Sequence, residues 1–77
     1  PGASLRRVAI VLFLNTSREA SPEGEFEGGL LRLLPDDGPA VELVPREGLA
    51  VAFAADLLHE VTPVRRGSRD VLVDWFY

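Results

Sequence analysis

Apolar and polar positions along this chain alternate over short distances, and the pattern predicts strands. Val8-Ala9-Ile10-Val11-Leu12-Phe13-Leu14 is a continuous apolar run rich in β-branched residues. It is too short for an isolated helix and fits a strand buried on both faces. Shorter strands are predicted at Leu30–Leu34, Val41–Val44 and Leu49–Ala54, and a last one over Arg69–Tyr77. Pro35-Asp36-Asp37-Gly38, Pro45-Arg46-Glu47-Gly48 and Arg65-Arg66-Gly67-Ser68 are turn sequences. Asp56 to His59 reads as a short connection or the start of a strand. Asn15 to Gly29 gathers Ser, Pro, Glu and Gly and reads as a long solvated loop, kept hydrated by Glu19, Glu23, Glu25 and Glu27. A helix over Ala50–Leu58 is the alternative there, but its alanines form no consistent apolar stripe. Short strands with turn signals between them predict an all-β sandwich, jelly roll or barrel.

Composition narrows the setting. At 77 residues the chain is at most one small domain, burying only roughly 60% of its unfolded surface. It has no cysteine, which excludes disulfides, zinc ribbons and thiol nucleophiles. With 47% hydrophobic and 26% charged residues, it has the make-up of a folded chain rather than a disordered one. The net charge of −4 argues against nucleic acid as a partner, because phosphate binding needs a basic face. No apolar run reaches the ~20 residues of a membrane span, and no signal peptide is visible. A soluble, cytoplasmic protein is the resulting expectation. All eight basic residues are arginines, and there is no methionine, so the expectation is a piece of a longer chain.

The chemistry concentrates near the last strand. His59 is the sole histidine, and Arg69 follows it at the start of that strand. Imidazole is a good ligand for iron, zinc or copper, and a guanidinium is a good carboxylate clamp. A lone histidine beside apolar sequence is more often a satisfied core or surface group. Pro63 and Gly67 frame a tight crossover that would put His59 and Arg69 on adjacent strands. The two-residue period then places Arg69, Val71, Val73 and Trp75 on one face. An inward arginine needs a partner, either a ligand carboxylate or a salt bridge to Glu60, Asp70 or Asp74. Arg65 and Arg66 read as solvated, and Trp75 alone reads as core filler. Other chemistries lack their residues. No phosphate loop is present, no serine stands in a nucleophile elbow, and His59-Glu60 lacks the second histidine of a metalloprotease helix.

Four segments then resemble, in order, the C-terminal half of an iron(II)- and 2-oxoglutarate-dependent dioxygenase of the prolyl-hydroxylase type. They are Val11-Leu12-Phe13-Leu14-Asn15, Gly28-Gly29-Leu30-Leu31-Arg32-Leu33, Pro45 through Phe53, and His59-Glu60-Val61-Thr62-Pro63 with Arg69 and Trp75-Phe76-Tyr77. The resemblance implies a double-stranded β-helix, a jelly-roll or cupin-like fold, of which residues 1–77 form the C-terminal part of a single catalytic domain. It implies His59 as one ligand of a two-histidine, one-carboxylate iron site. Arg69 would pair with the distal carboxylate of 2-oxoglutarate, and Phe13, Leu31, Val61 and Trp75 would complete the cosubstrate pocket. The implied cofactors are Fe(II) and 2-oxoglutarate, with ascorbate as an optional addition, and O2 is the other cosubstrate. The implied reaction decarboxylates 2-oxoglutarate to succinate while hydroxylating a prolyl or other side chain of a protein or peptide.

Two departures from the pattern bear on this expectation. The family's histidine-x-aspartate precedes the first matched strand, and Pro1 to Arg7 contain neither residue. It is therefore expected in a missing N-terminal part of the same domain, without which these residues are inactive. Phe13 stands where many prolyl hydroxylases carry a tyrosine that bonds the cosubstrate carboxylate, and a phenyl ring cannot make that bond. A non-catalytic cupin-like binding domain that has lost its iron site is the alternative, and a plain β-sandwich interaction domain is a further one.

Overall fold

The computed structural model describes residues 7–76, and every regular element among them is a β-strand. In chain order these are β1 (Val8–Phe13), β2 (Glu27–Gly28), β3 (Leu31–Leu33), β4 (Val41–Leu43), β5 (Ala50–Ala54), β6 (His59–Val61), β7 (Val64–Arg66) and β8 (Val71–Phe76). Residues 1–6, and Tyr77 at the end of the expected last strand, lie outside the described residues. β1 is the centre of one antiparallel sheet, β5-β1-β8, and β3 is the centre of another, β4-β3-β6. β2 and β7 pair as a two-stranded ribbon whose register shifts between Glu27 and Gly28.

The strand period decides what is buried. Ala9, Val11 and Phe13 of β1 join Phe53 of β5 and Leu31 of β3 in one cluster that ties the two larger sheets together. Each large side chain so removed from water contributes about 1.5–3 kcal/mol. The expectation that Val8–Leu14 is buried on both faces is corrected, because burial alternates along β1. Ile10 and Leu12 face outward beside Ala52 and Ala50 of β5 and Asp74 and Leu72 of β8. The small alanines of β5 and, beside Ile10, the acid of β8 leave them partly uncovered. The helical alternative for Ala50–Leu58 is not adopted, since Ala50–Ala54 is a strand with Phe53 turned inward.

Two further expectations change. Arg65 and Arg66 belong to β7, and the turn narrows to Gly67, at φ +79, where an added β-carbon would collide with the Glu25 carbonyl oxygen. The Asn15–Gly29 segment is folded onto the body, with Ser17 and Phe26 fully buried. Ser17 N–H donates to Pro45 O at 3.0 Å, and Arg18 N–H donates to Phe26 O at 2.7 Å. Thr16 N–H donates to Glu25 Oε1, and Glu25 N–H to Thr16 O, both at 2.8 Å.

Glu19 is an anchor rather than a hydrating charge. Gly28 N–H donates to both its carboxylate oxygens at 3.1 Å, Arg65 to Oε2 at 2.8 Å and Ser17 Oγ to Oε1 at 3.0 Å. These donors favour the ionised form and hold its pKa down to about 2.

Candidate functional site

A cavity of about 400 Å³ opens between the inner faces of the two three-stranded sheets. Leu31, His59, Val61, Arg69 and Trp75 all border it, together with Val71 and Val73. Arg69, Val71, Val73 and Trp75 form one wall because alternate residues of a strand share a face. Leu31 and Val61 stand opposite each other in the β3–β6 ladder and form the facing wall. His59 opens β6, in register with Leu33. The expectation of adjacent strands is corrected, because β6 and β8 belong to different sheets. Between them the chain runs through β7, which pairs with β2, and so crosses from one sheet to the other. His59 and Arg69 therefore approach one cavity from different sheets.

The imidazole of His59 is held in two ways. Its Nδ1 lies 2.8 Å from the Leu57 carbonyl oxygen. A carbonyl only accepts, so Nδ1 carries the proton and Nε2 keeps the lone pair that a metal needs. The ring also meets Phe53 edge-on, with centroids 5.0 Å apart and planes at 62°. Histidine, aspartate and glutamate do not gather in threes around a metal-sized space among the described residues. The donor set thus fits one ligand position, and a metal here would take its other ligands from elsewhere.

Arg69 has the more telling environment. Its Nε is buried without a hydrogen-bond partner among the described residues, and burial lowers the basicity of the guanidinium. The group remains charged at neutral pH. The acids that might have neutralised it are engaged elsewhere. Glu60 pairs with Arg32 at 2.8 Å, Asp74 Oδ1 accepts Trp75 N–H at 2.8 Å, and Asp70 Oδ2 accepts Asn15 Nδ2–H at 3.4 Å. The guanidinium carbon instead sits 5.6 Å from the centroid of the Phe13 ring. Phe13 is fully buried and does not border the cavity, so it supports Arg69 from beneath through a cation–π contact. A half-buried cation whose enclosed Nε has no acceptor among the described residues, beside an apolar cavity, is a fit for a small carboxylate ligand.

Asn15 was matched only as the end of a motif, and its position shows why an asparagine is useful there. Its Nδ2 donates to Ser68 O at 2.8 Å while its Oδ1 accepts from Asp70 N–H, which clamps the backbone on both sides of Arg69. Leu14 N–H adds a bond to Asp70 O at 2.9 Å. The polar residue closing an apolar strand was the signal, and its distant partners were invisible. Ala9, Val11 and Phe53 also border the cavity, an outcome of the same strand period.

A model of the 2OG-Fe(II) oxygenase superfamily matches residues 1–77, the whole of the sequence. No curated protein and no solved structure gives a match.

Proposed function

Because the chain belongs to the 2OG-Fe(II) oxygenase superfamily, we propose that the cavity between its sheets is the 2-oxoglutarate pocket of such an enzyme. The observation that carries this reading is the buried, unpartnered Nε of Arg69 at an apolar cavity that His59 also borders. Arg69 receives the distal carboxylate of 2-oxoglutarate and fixes its direction through paired N–H donors. Val71, Val73, Leu31 and Val61 offer apolar surface to the ligand's carbon chain. His59 offers Nε2 to the iron, with its ring direction set by Leu57 O and Phe53. Fe(II), when bound, supplies the redox chemistry that couples 2-oxoglutarate decarboxylation to hydroxylation.

In this reading residues 1–77 are the C-terminal part of one double-stranded β-helix domain. β6 and β8 are edge strands, and each borders the cavity. Strands pairing with these edges, open among the described residues, would bring a histidine-x-aspartate beside His59. The substrate is a prolyl or other side chain of a protein or peptide, a choice that rests on the order of the four matched segments. The alternative is a cupin-like binding domain that takes a carboxylate and no iron.

Anaerobic titration of the full-length protein with Fe(II) and 2-oxoglutarate separates the two. A weak visible metal-to-ligand charge-transfer band that needs both components is the expected result. Binding of 2-oxoglutarate with no dependence on iron would favour the binding domain.

A further inference from the structure

Arg69 reaches the cavity past a gap in the surrounding wall. Gly29, between β2 and β3, has φ +68 and donates its N–H to Pro63 O at 3.1 Å. A β-carbon at Gly29 would lie 2.9 Å from Arg69 Cδ, and 3.1 Å from both Phe26 Cε2 and Val64 Cγ2. Three side chains, from the folded loop, from β7 and from the approach to β8, thus converge on the space that a residue other than glycine would fill. Cδ is the last carbon before the guanidinium, so whatever fills that gap displaces the charged head. Nothing polar holds the Nε among the described residues. The stem lies close against Gly29, and the head sits 5.6 Å from the centroid of the Phe13 ring.

We propose that Gly29, walled by Phe26 and Val64, is a positioning residue that holds Arg69 in its binding rotamer and so sets the affinity for 2-oxoglutarate. The inference rests on reading Arg69 as the carboxylate clamp. An arginine free to sample rotamers loses that freedom when it grips a carboxylate, whereas one already held does not. The loop from Thr16 to Phe26 thereby acts on the cavity without bordering it, because Phe26 is one wall of the slot.

The test is calorimetric titration of 2-oxoglutarate into the anaerobic Fe(II)-loaded full-length protein. It is paired with 15N–1H spectra of the arginine side chains recorded without cosubstrate. The wild type should show a slowly exchanging Arg69 Nε–H. Phe26→Leu opens the slot and should raise Kd roughly three- to tenfold, the entropy of one freed long side chain. The Arg69 Nε–H should also exchange faster in that variant. Gly29→Ala should weaken binding further, with the Arg69 resonance displaced.

Leu43→Ala, packed against the core but not itself bordering the cavity, should lower the melting temperature and leave Kd at the wild-type value. Phe26→Leu with Kd and exchange both unchanged overturns the proposal. So does an equal loss of affinity in Leu43→Ala, which would reduce the Phe26 effect to general loosening. Arg69→Ala separates the two levels. Undiminished binding in that variant removes the clamp itself, whereas a large loss there beside an unaffected Phe26→Leu removes only the positioning role.

Discussion

An arginine whose Nε is buried without an acceptor among the described residues raises the energy of the free protein until an anion arrives. Exchanging Arg69 for an apolar side chain of similar length should therefore relieve the free protein while disabling the ligand-bound one. Arg69→Met is expected to keep or raise the melting temperature without ligand, and to raise the Michaelis constant for 2-oxoglutarate sharply with iron binding nearly unchanged. A fall of several degrees in melting temperature would mean that the Phe13 contact outweighs the cost of the enclosed Nε in the free protein. His59→Ala in the full-length protein should abolish turnover. Decarboxylation of 2-oxoglutarate persisting at near the wild-type rate would sink its assignment as a ligand. These two residues were legible in the sequence because each is distinctive, the single histidine and an arginine opening an apolar strand. The sequence left open what Arg69 pairs with. That choice depends on Glu60 meeting Arg32, and on Asp70 meeting Asn15 across 55 residues of chain.

Among the strands, the longer apolar runs at β1, β5 and β8 were legible within a residue or two at each end, as were the shorter β3 and β4. β2 and β7 were not, and β6 was foreshadowed only as a strand start at Asp56–His59, because each is two or three residues long and exists through its ladder partner. Glu27 faces Arg66, and Leu33 faces His59. The Asn15–Gly29 loop was misread for the same reason, since a glutamate cannot announce from sequence that Gly28 and Arg65 will enclose it. Its depressed pKa has a definite consequence. Glu19 falls from the ordinary 4.5 to about 2 on folding. Its stabilisation is therefore complete above about pH 5 and disappears as the pH drops through that interval towards 2. Glu19→Gln should lower the melting temperature at pH 7, and the two melting curves should converge near pH 2. Parallel pH profiles in both proteins would show that the loop is anchored by other groups. Gly67→Ala meets both a left-handed backbone and the Glu25 carbonyl, so a loss of about 1–3 kcal/mol in unfolding free energy is expected from chemical denaturation. An unchanged midpoint would mean that the β7–β8 turn yields easily.

At the scale of the molecule, β4, β5, β6 and β8 are all edge strands among the described residues, and β8 presents Leu72, Trp75 and Phe76 at 60%, 51% and 52% exposure. Unpaired edges with apolar flanks invite other chains. A polypeptide of residues 1–77 alone is expected to sediment as soluble oligomers or to precipitate at micromolar concentration. A monodisperse monomer that melts cooperatively in ultracentrifugation and calorimetry would contradict this. The central position of β1 carries a further consequence, for the time course of folding. Val8 pairs with Phe76 and Phe13 with Val71, so one whole flank of the central strand must wait for β8. The ribosome releases β1 well before its second partner β8, and such long-range pairing is intrinsically slow. During synthesis the outward Ile10 and Leu12 and the inward Val11 and Phe13 are bare together. In that interval a chaperone able to grip a short extended apolar segment would find its target in β1.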